Sequence, residues 1–271
     1  MGGSFSGKIA VVTGGAQGIG EACAQALVRD GSRVAILDIN PRTGEQAAAR
    51  LGKNAFFVQC DVGVAAEVTA AFAVVRKQMG DPTLLLNNAA IAKYAPFMEI
   101  SEEVWDETLR VNLKGAFLCS QAAIPGMLRT GGGSIVNMAS VQAFVSEYGI
   151  SAYAASKSGL LGLTRTISID CAPLVRCNAV CPGCIDSPML QISVQGKKEE
   201  EEARKNMHLL RRIGKPEEVA ELVLFLLSDR SSFITGQAYR LDGGLGGWIG
   251  ALPRNGASAE KQDETNSHQP K

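Results

Sequence analysis

The feature that most limits what this chain can fold into is a repeated change of period along its length. Short, almost continuously apolar runs alternate with longer segments whose apolar residues recur at helical spacing. The runs are Ile9 to Val12, Arg33 to Leu37, Ala55 to Val58, Leu84 to Leu86, Ser134 to Met138, Val175 to Val180 and Ala238 to Leu241. A strand that is apolar at nearly every position must be covered on both faces, the condition of a parallel sheet packed between helices. The helical segments are Gly18 to Arg29, Pro41 to Leu51, Ala65 to Met79, Ser101 to Leu128, Ser151 to Cys171 and Pro216 to Leu227. Ser101-Glu102-Glu103 sets an N-cap before early acids, and Pro216-Glu217-Glu218 sets a proline in a first turn followed by acids. Such alternation, with right-handed crossovers, predicts an α/β, doubly wound parallel sheet in a single domain over residues 1–252.

Two segments break the rhythm. Residues 186–214, between the sixth strand and the next helix, are too long for a plain connection and read as a lid insertion. The run Lys197-Lys198-Glu199-Glu200-Glu201-Glu202 reads as the solvated face of a lid helix. Residues 253–271 hold no aromatic residue and no aliphatic larger than alanine, so they cannot offset their own ordering entropy and read as a polar, mobile tail.

Composition removes several classes of function. With 27 basic and 27 acidic side chains there is no cationic excess to neutralise a nucleic acid. Seven cysteines, an odd and scattered set, do not form a disulfide framework and point to a reducing, cytoplasmic setting. No apolar run approaches the ~18 residues that cross a bilayer. Met1-Gly2-Gly3-Ser4-Phe5-Ser6 fits a loose acylation pattern, yet without a basic cluster it reads as a lead-in to the first strand. No signal peptide is visible, since Gly14, Gly15 and Gly18 interrupt the first apolar segment.

The first strand runs into Thr13-Gly14-Gly15-Ala16-Gln17-Gly18-Ile19-Gly20 and then a helix. Glycines here let the backbone turn tightly and approach a pyrophosphate, whose charge faces the amides of the helix N-terminus. The spacing is Gly14-x-x-x-Gly18-x-Gly20, its first gap two residues longer than in the common G-x-G-x-x-G. A glycine cluster alone is a weak signal, and its place between strand and helix strengthens it. Asp38 ends the second strand, 20 residues after Gly18, where a carboxylate can accept from both ribose hydroxyls of an adenosine. A 2′-phosphate would meet that carboxylate, and no arginine stands at Gln17 or directly after Asp38, so NAD is preferred over NADP.

Tyr153 and Lys157 lie four residues apart on a helical segment and share a face. An ammonium beside a phenol favours the phenolate and lowers the tyrosine pKa from about 10, which suits general acid/base work. The pair is common by itself. Ser140, 13 residues earlier at the carboxyl end of the fifth strand, changes its meaning, because that edge of an open parallel sheet faces the ligand crevice.

Together these residues resemble the short-chain dehydrogenase/reductase family, in its single-domain, NAD-preferring branch, from about Lys8 to Gly244. The landmarks come in order: Thr13 to Gly20, Asp61-Val62, Asn87-Asn88-Ala89-Ala90, Val111-Asn112, Ser140, Tyr153 to Lys157, Asn178 to Gly183, and Thr235-Gly236-Gln237 to Asp242-Gly243-Gly244. The resemblance implies a Rossmann fold and a role for each position. Thr13 to Gly20, including Gly14, Gln17, Gly18, Ile19 and Gly20, would wrap the pyrophosphate. Asp61 and Val62 would meet adenine. Asn88 would lie over the adenosine side and brace the central sheet, with Ala89, Pro182 and Gly183 completing the cofactor surface. The Ile185 backbone and the Ser187 hydroxyl would hold the nicotinamide carboxamide. Tyr153 would exchange a proton with the substrate oxygen, Ser140 would bond that oxygen, and Lys157 would hold the nicotinamide ribose. Asn112 would kink its helix and hold a water passing protons on from Lys157. A homotetramer is implied too, with the 101–128 and 151–171 helices across an interface. The chain departs from the pattern at Ala90 (commonly glycine), Ser187 (commonly threonine) and Ala139 (commonly serine), none of which removes a reactive group.

The pocket walls are expected from 91–97, 141–148 and 189–210, making a mostly apolar pocket that includes Val141, Phe144, Tyr148, Met189, Leu190 and Met207, with Gln142 as a polar handle and Cys184 close by. Glu147 would suit an amine if it points inward. No arginine stands out as a carboxylate clamp. Cys181-Pro182-Gly183-Cys184 has redox-like spacing but coincides with a strand-ending turn. Cys177 and Cys181 share a strand face and read as buried hydrophobes, and Cys184 is the one to watch for oxidation. With two histidines, His208 in the lid and His268 in the tail, no metal site is expected. Trp248 reads equally as a core plug or an interface contact. The expected function is oxidoreduction between a secondary alcohol and a ketone with NAD. The alternatives are a 3-oxoacyl thioester reductase, disfavoured by Asp38, and a non-catalytic nucleotide-sensing protein, which has no need of Asn112, Ser140, Tyr153 and Lys157. A methyltransferase would have no use for Ser140 and Tyr153 at this spacing.

Overall fold

The computed structural model describes residues 4–194 and 196–247; Trp248, the 253–271 tail and the first three residues lie outside the described residues. Seven strands form one parallel sheet: β1 (Ile9–Thr13), β2 (Arg33–Asp38), β3 (Ala55–Gln59), β4 (Leu84–Asn87), β5 (Gly133–Met138), β6 (Val175–Pro182) and β7 (Ala238–Leu241). Their spatial order is β3-β2-β1-β4-β5-β6-β7, with every pairing parallel. The winding reverses between β1 and β4, so the crevice above their carboxyl ends is the switch point at which such sheets bind ligands.

The continuous apolar runs are explained by two cores. Ala10 and Val12 of β1 face one side, with Cys23, Ala24 and Leu27 of α1 (Gly18–Arg29), Ala47 of α2 (Pro41–Leu51) and Val219, Val223 and Leu226 of α9 (Pro216–Leu227). Val11 faces the other, with Phe72 of α3 (Ala65–Met79), Cys119 and Met127 of α5 (Gly115–Arg129) and Ile167 of α6 (Ser151–Asp170). Alternate residues of one strand thus serve opposite cores, which leaves almost no polar position. Cys177 and Cys181 are fully buried, as their strand face requires.

Local sequence sets the helix starts. Asn40 accepts from Arg42 N at 3.1 Å and Thr43 N at 3.3 Å ahead of Pro41, and Ser101 Oγ accepts from Val104 N at 3.3 Å. The single helix anticipated over 101–128 is three pieces: α4 (Glu102–Leu109), a π turn at Arg110–Lys114, and α5. Gly115 follows the π turn where a Cβ would come within 2.7 Å of Val62 Cγ2, so the widened turn lets this helix approach the loop after β3.

The excursion after β6 holds two short helices, α7 (Pro188–Val194) and α8 (Lys198–Asn206). Its ends are stapled together: Asp186 N donates to Gly214 O and Gly214 N to Cys184 O, both at 2.9 Å. The charged run does lie on the solvated face of α8, whose Glu199 and Glu200 are exposed.

Candidate active site

The switch-point crevice is one continuous groove with two ends. The β1 end is lined by Gly14, Gln17, Gly18, Ile19, Asp38, Asp61, Val62, Asn88, Ala89 and Ser187. The β5–β6 end is lined by Ser140, Val141, Gln142, Tyr153, Lys157, Pro182, Gly183, Cys184, Ile185, Met189 and Met207. Ile19, Asn88, Ala90, Ser187 and Met189 belong to both, so the two ends join beneath the start of α7.

At the β1 end the backbone does the shaping. Gly14 sits at φ +62°, and a Cβ there would come within 2.8 Å of Ala89 Cα; only glycine can take both the conformation and the closeness. Asn88 Nδ2 donates to Thr13 O at 3.1 Å and Gly14 O at 3.0 Å, while Thr13 Oγ1 accepts from Asn88 N at 2.9 Å and Ala89 N at 3.1 Å. Asn88 therefore locks β4 to the glycine turn, bracing the central sheet. Gly20 differs from its expected place. It does not line the groove; a Cβ on it would lie 2.1 Å from Gly14 O, so its part is to let α1 close on the turn.

Asp38 Oδ2 accepts from Ala16 N at 3.2 Å and Oδ1 from Asn40 N at 3.1 Å, which fixes the carboxylate at the mouth of β2. Asp61 is more committed than the sequence implied: Oδ2 pairs with Arg110 Nη1 at 2.8 Å and Oδ1 accepts from Gly63 N at 2.9 Å. Arg110 is a groove-lining cation that strand-and-turn reasoning missed, because the π turn alone brings it there.

At the other end, Tyr153 and Lys157 sit one turn apart on α6, with Lys157 Nζ 5.4 Å from the phenol ring centre. Lys157 is buried and donates to Met138 O at 2.6 Å. Burial pushes its ammonium down to about 8. The phenol departs from expectation. Tyr153 is pushed up to about 12, chiefly by burial, with the hydrogen bond to Ser140 acting the other way. Tyr94 and Glu147 act in the same direction as the desolvation, while the ammonium of Lys157 is turned to a carbonyl. Ser140 Oγ accepts from Gln142 N at 3.2 Å, which leaves its own hydrogen to be given to the Tyr153 phenol oxygen or to a ligand beside it.

Asn112 is buried in the π turn. Its Nδ2 donates to Ile91 O at 2.9 Å and Ser156 Oγ at 3.1 Å, and its Oδ1 accepts from Ile91 N at 2.8 Å. Both amide donors are thus used, and a water held by this residue would rest on a carbonyl oxygen. Ser156, which sequence reasoning passed over, carries the link into α6 by donating to Tyr153 O at 2.7 Å.

The pocket walls need three corrections. Tyr148 is 81% exposed and does not line the pocket, and Phe144 is half exposed and also outside it; both belong to a loop that turns outward. Arg204, on α8, does line the pocket, where no arginine had been picked out. Glu147 does point inward, but its carboxylate pairs with Arg204, so it is not free for an amine. Tyr94 and Ser193 complete this wall. Cys184 lines the pocket with its thiol raised above the ordinary value by burial, which opposes the thiolate needed for oxidation. His208 is buried beneath the lid, where Nε2 accepts from Cys184 N at 3.1 Å and Nδ1 stands 2.8 Å from Arg204 O. Among the described residues no metal-binding cluster exists, and no helix is long and apolar enough to cross a membrane.

Taken together, a strand–glycine-turn–helix groove with an acid at the end of β2, joined to a Ser-Tyr-Lys cluster, defines a nucleotide-dependent oxidoreductase. A family model described as enoyl-(acyl carrier protein) reductase matches residues 14–246. The 2-(S)-hydroxypropyl-CoM dehydrogenase 3 of Xanthobacter autotrophicus is 37% identical over 252 residues, 90% of this chain and 99% of that one. The 2,5-dichloro-2,5-cyclohexadiene-1,4-diol dehydrogenase of Sphingobium indicum is 37% identical over 244 residues, 89% of this chain and 98% of that one. The ligand-free structure of the Thermoplasma acidophilum aldohexose dehydrogenase superposes with a TM-score of 0.86 at 37% identity, covering 93% of this chain and 99% of that one. The chain belongs to the short-chain dehydrogenase/reductase family, and its reaction is an oxidoreduction that uses a nicotinamide cofactor.

Proposed function

We propose that the protein is an NAD-dependent dehydrogenase interconverting a secondary alcohol and a ketone. The observation that carries this reading is the convergence of Ser140, Tyr153 and Lys157 on a pocket that opens into the groove ending at Asp38. The groove fits a dinucleotide: the left-handed backbone at Gly14 and Gly18 leaves room beside the α1 N-terminus, and a Cβ on Gly18 would reach Pro188 Cδ at 3.3 Å across the opening. Asp38, held by two backbone amides, would accept from the adenosine ribose hydroxyls and repel a 2′-phosphate. The arginine that lines the same groove, Arg110, is already paired with Asp61.

The nicotinamide ring, when bound, accepts or returns a hydride at the carbinol carbon. The chain's residues handle the oxygen. Ser140 donates its hydrogen to that oxygen, and Tyr153 takes its proton on oxidation and returns it on reduction. Alcohol and NAD⁺ thereby give ketone, NADH and one proton. Lys157, fixed by Met138 O, presents its remaining N–H donors to the nicotinamide ribose, and its charge favours phenolate. Pro182, Gly183, Ile185 and Ser187 would hold the carboxamide. The raised Tyr153 pKa suits an acid that stays loaded until a positively charged ring arrives beside it.

Two of the relatives are named for a diol and an aldohexose, which supports an alcohol substrate here. Exposed Phe117 and Leu128 on α5 and Ile169 on α6 support a homotetramer built on those helices, which sedimentation would test. Seven free cysteines agree with a reducing compartment. The deciding assay follows absorbance at the reduced nicotinamide band with a panel of racemic secondary alcohols and either NAD⁺ or NADP⁺. The reading predicts turnover with NAD⁺ and little with NADP⁺. Turnover of a 3-oxoacyl thioester with NADPH but of no alcohol with NAD⁺ would overturn it.

A further inference from the structure

The two helices of the lid are held by different means. In α7, Leu190 and Val194 are buried, and Ser193 stands beside the Tyr94 phenol. In α8, none of the nine residues is buried. A helix that short is marginal by itself, since few of its backbone bonds repay the cost of its first turn. Something other than apolar burial therefore keeps α8 over the pocket. Arg204, in its last turn, pairs with Glu147 on the loop after β5, and among the described residues this is the only ion pair joining α7 or α8 to the chain outside the lid.

Arg204 is tied at its backbone as well. His208 Nε2 accepts from Cys184 N, so its hydrogen is on Nδ1 and is donated to Arg204 O at 2.8 Å. One residue thus fastens α8 to the turn after β6 through its carbonyl and to the loop after β5 through its guanidinium. That loop is itself braced, because Ala95 N donates to Gly149 O at 2.9 Å. Glu147 and Arg204 line the same pocket as Ser140 and Tyr153, with side chains only 21% and 17% exposed. The pair spans the pocket from lid to loop, and parting it opens that side to water.

We propose that the Glu147–Arg204 pair is the latch that keeps α8 closed over the pocket. Both are positioning residues: they retain the substrate beside Ser140 and Tyr153 and take no part in moving its hydride or its proton. The inference rests on the dehydrogenase reading for the substrate and on the lid geometry for the latch. A charge-assisted pair suits this work, because it is strong when made and, with no apolar burial behind it, it leaves α8 free to lift when broken.

The test compares the wild-type protein with Arg204→Gln, with Glu147→Gln, and with the exchanged pair, Glu147→Arg combined with Arg204→Glu. Amide hydrogen exchange is measured on each, together with oxidation of butan-2-ol at saturating NAD⁺. Loss of one charge-assisted pair corresponds to a factor of about ten or more. In both single variants the amides of α8 should exchange faster by that factor, while those of α6 stay unchanged and show that the body is folded. KM for butan-2-ol should rise by a similar factor with kcat within about threefold, and the exchanged pair should recover much of both losses. Unchanged α8 exchange in the single variants, no recovery in the exchanged pair, or a fall in kcat at unchanged KM overturns the inference and leaves the dehydrogenase reading standing. Absence of turnover of any alcohol by the wild type overturns that reading, and the exchange rates then decide the latch alone.

Discussion

The two ends of the groove are built by opposite means. At the β1 end the working surface is main chain, and Asn88 and the two acids are spoken for: Asn88 on Thr13 O and Gly14 O, Asp38 on two amides, Asp61 on Arg110. At the β5–β6 end the surface is side chain, and several groups are held in costly states. Lys157 is buried with its pKa depressed, Tyr153 is held protonated far above neutrality, and the Gln142 amide oxygen is buried without a partner. The difference teaches where binding and chemistry are separated. A preorganised, satisfied surface can hold a cofactor without rearrangement, whereas groups kept in unfavourable states are the ones that change state during a reaction.

The sharpest way to break this contrast is Tyr153→Phe. If chemistry belongs to the β5–β6 end alone, steady-state alcohol oxidation should fall by about a thousandfold or more, since a positioned acid/base is lost along with a proton route. Next in size is Asp38→Ser, which removes the acid at the other end. The ratio of kcat/KM with NAD⁺ to that with NADP⁺ should fall by about ten- to a hundredfold, the worth of one or two charge-assisted hydrogen bonds and a repulsion. A ratio that does not move would show that cofactor choice lies elsewhere in the groove.

Smaller effects test the cost each end carries. Lys157→Met should abolish most activity yet raise stability by on the order of 1–3 kcal/mol in thermal or urea unfolding, because a desolvated ammonium is replaced by an apolar side chain of similar length. The pH dependence fixes the sign. Lys157 titrates at about 8 when folded, below its unfolded value, so its burial penalty is present below pH 8 and fades as pH rises towards the unfolded pKa. The stabilisation by Lys157→Met should therefore shrink between pH 8 and about 10.4. Smallest is Glu147→Gln, which frees the largely buried Arg204 and should raise kcat/KM for 3-hydroxybutyrate a few-fold relative to butan-2-ol. No gain would mean that Arg204 faces away from the bound substrate.

The same contrast explains what could be read from the chain without its structure. Inner strands covered on both faces leave an unbroken apolar signature, and the edge strands β3 and β7, only partly covered, were still legible to within a few residues. The glycine turn, Asp38 and Ser140 stand at element ends, and Tyr153 and Lys157 in the first two turns of α6, where sequence position fixes spatial position. What stayed hidden depends on paths that propensity does not encode. The π turn keeps helical periodicity while changing register, so one helix was read where there are three segments, and Arg110 was missed. Arg204 lies beside an acidic run whose obvious reading is a solvated face, and its inward direction depends on how α8 lies over Glu147. Tyr148 was misplaced for the same reason: nothing local says which way its loop turns. The tyrosine pKa was misjudged because charge proximity is visible in a four-residue spacing and burial is not.

Separation of binding from chemistry is tested most directly by measuring NADH affinity and single-turnover hydride transfer to a ketone in Tyr153→Phe and Asp38→Ser side by side. The account predicts a double dissociation. Tyr153→Phe should bind NADH within about twofold of wild type while losing hydride transfer, and Asp38→Ser should bind NADH weakly yet transfer hydride at near the wild-type rate once saturated. Loss of NADH affinity in Tyr153→Phe together with its transfer rate, or hydride transfer that persists without the phenol, would contradict it.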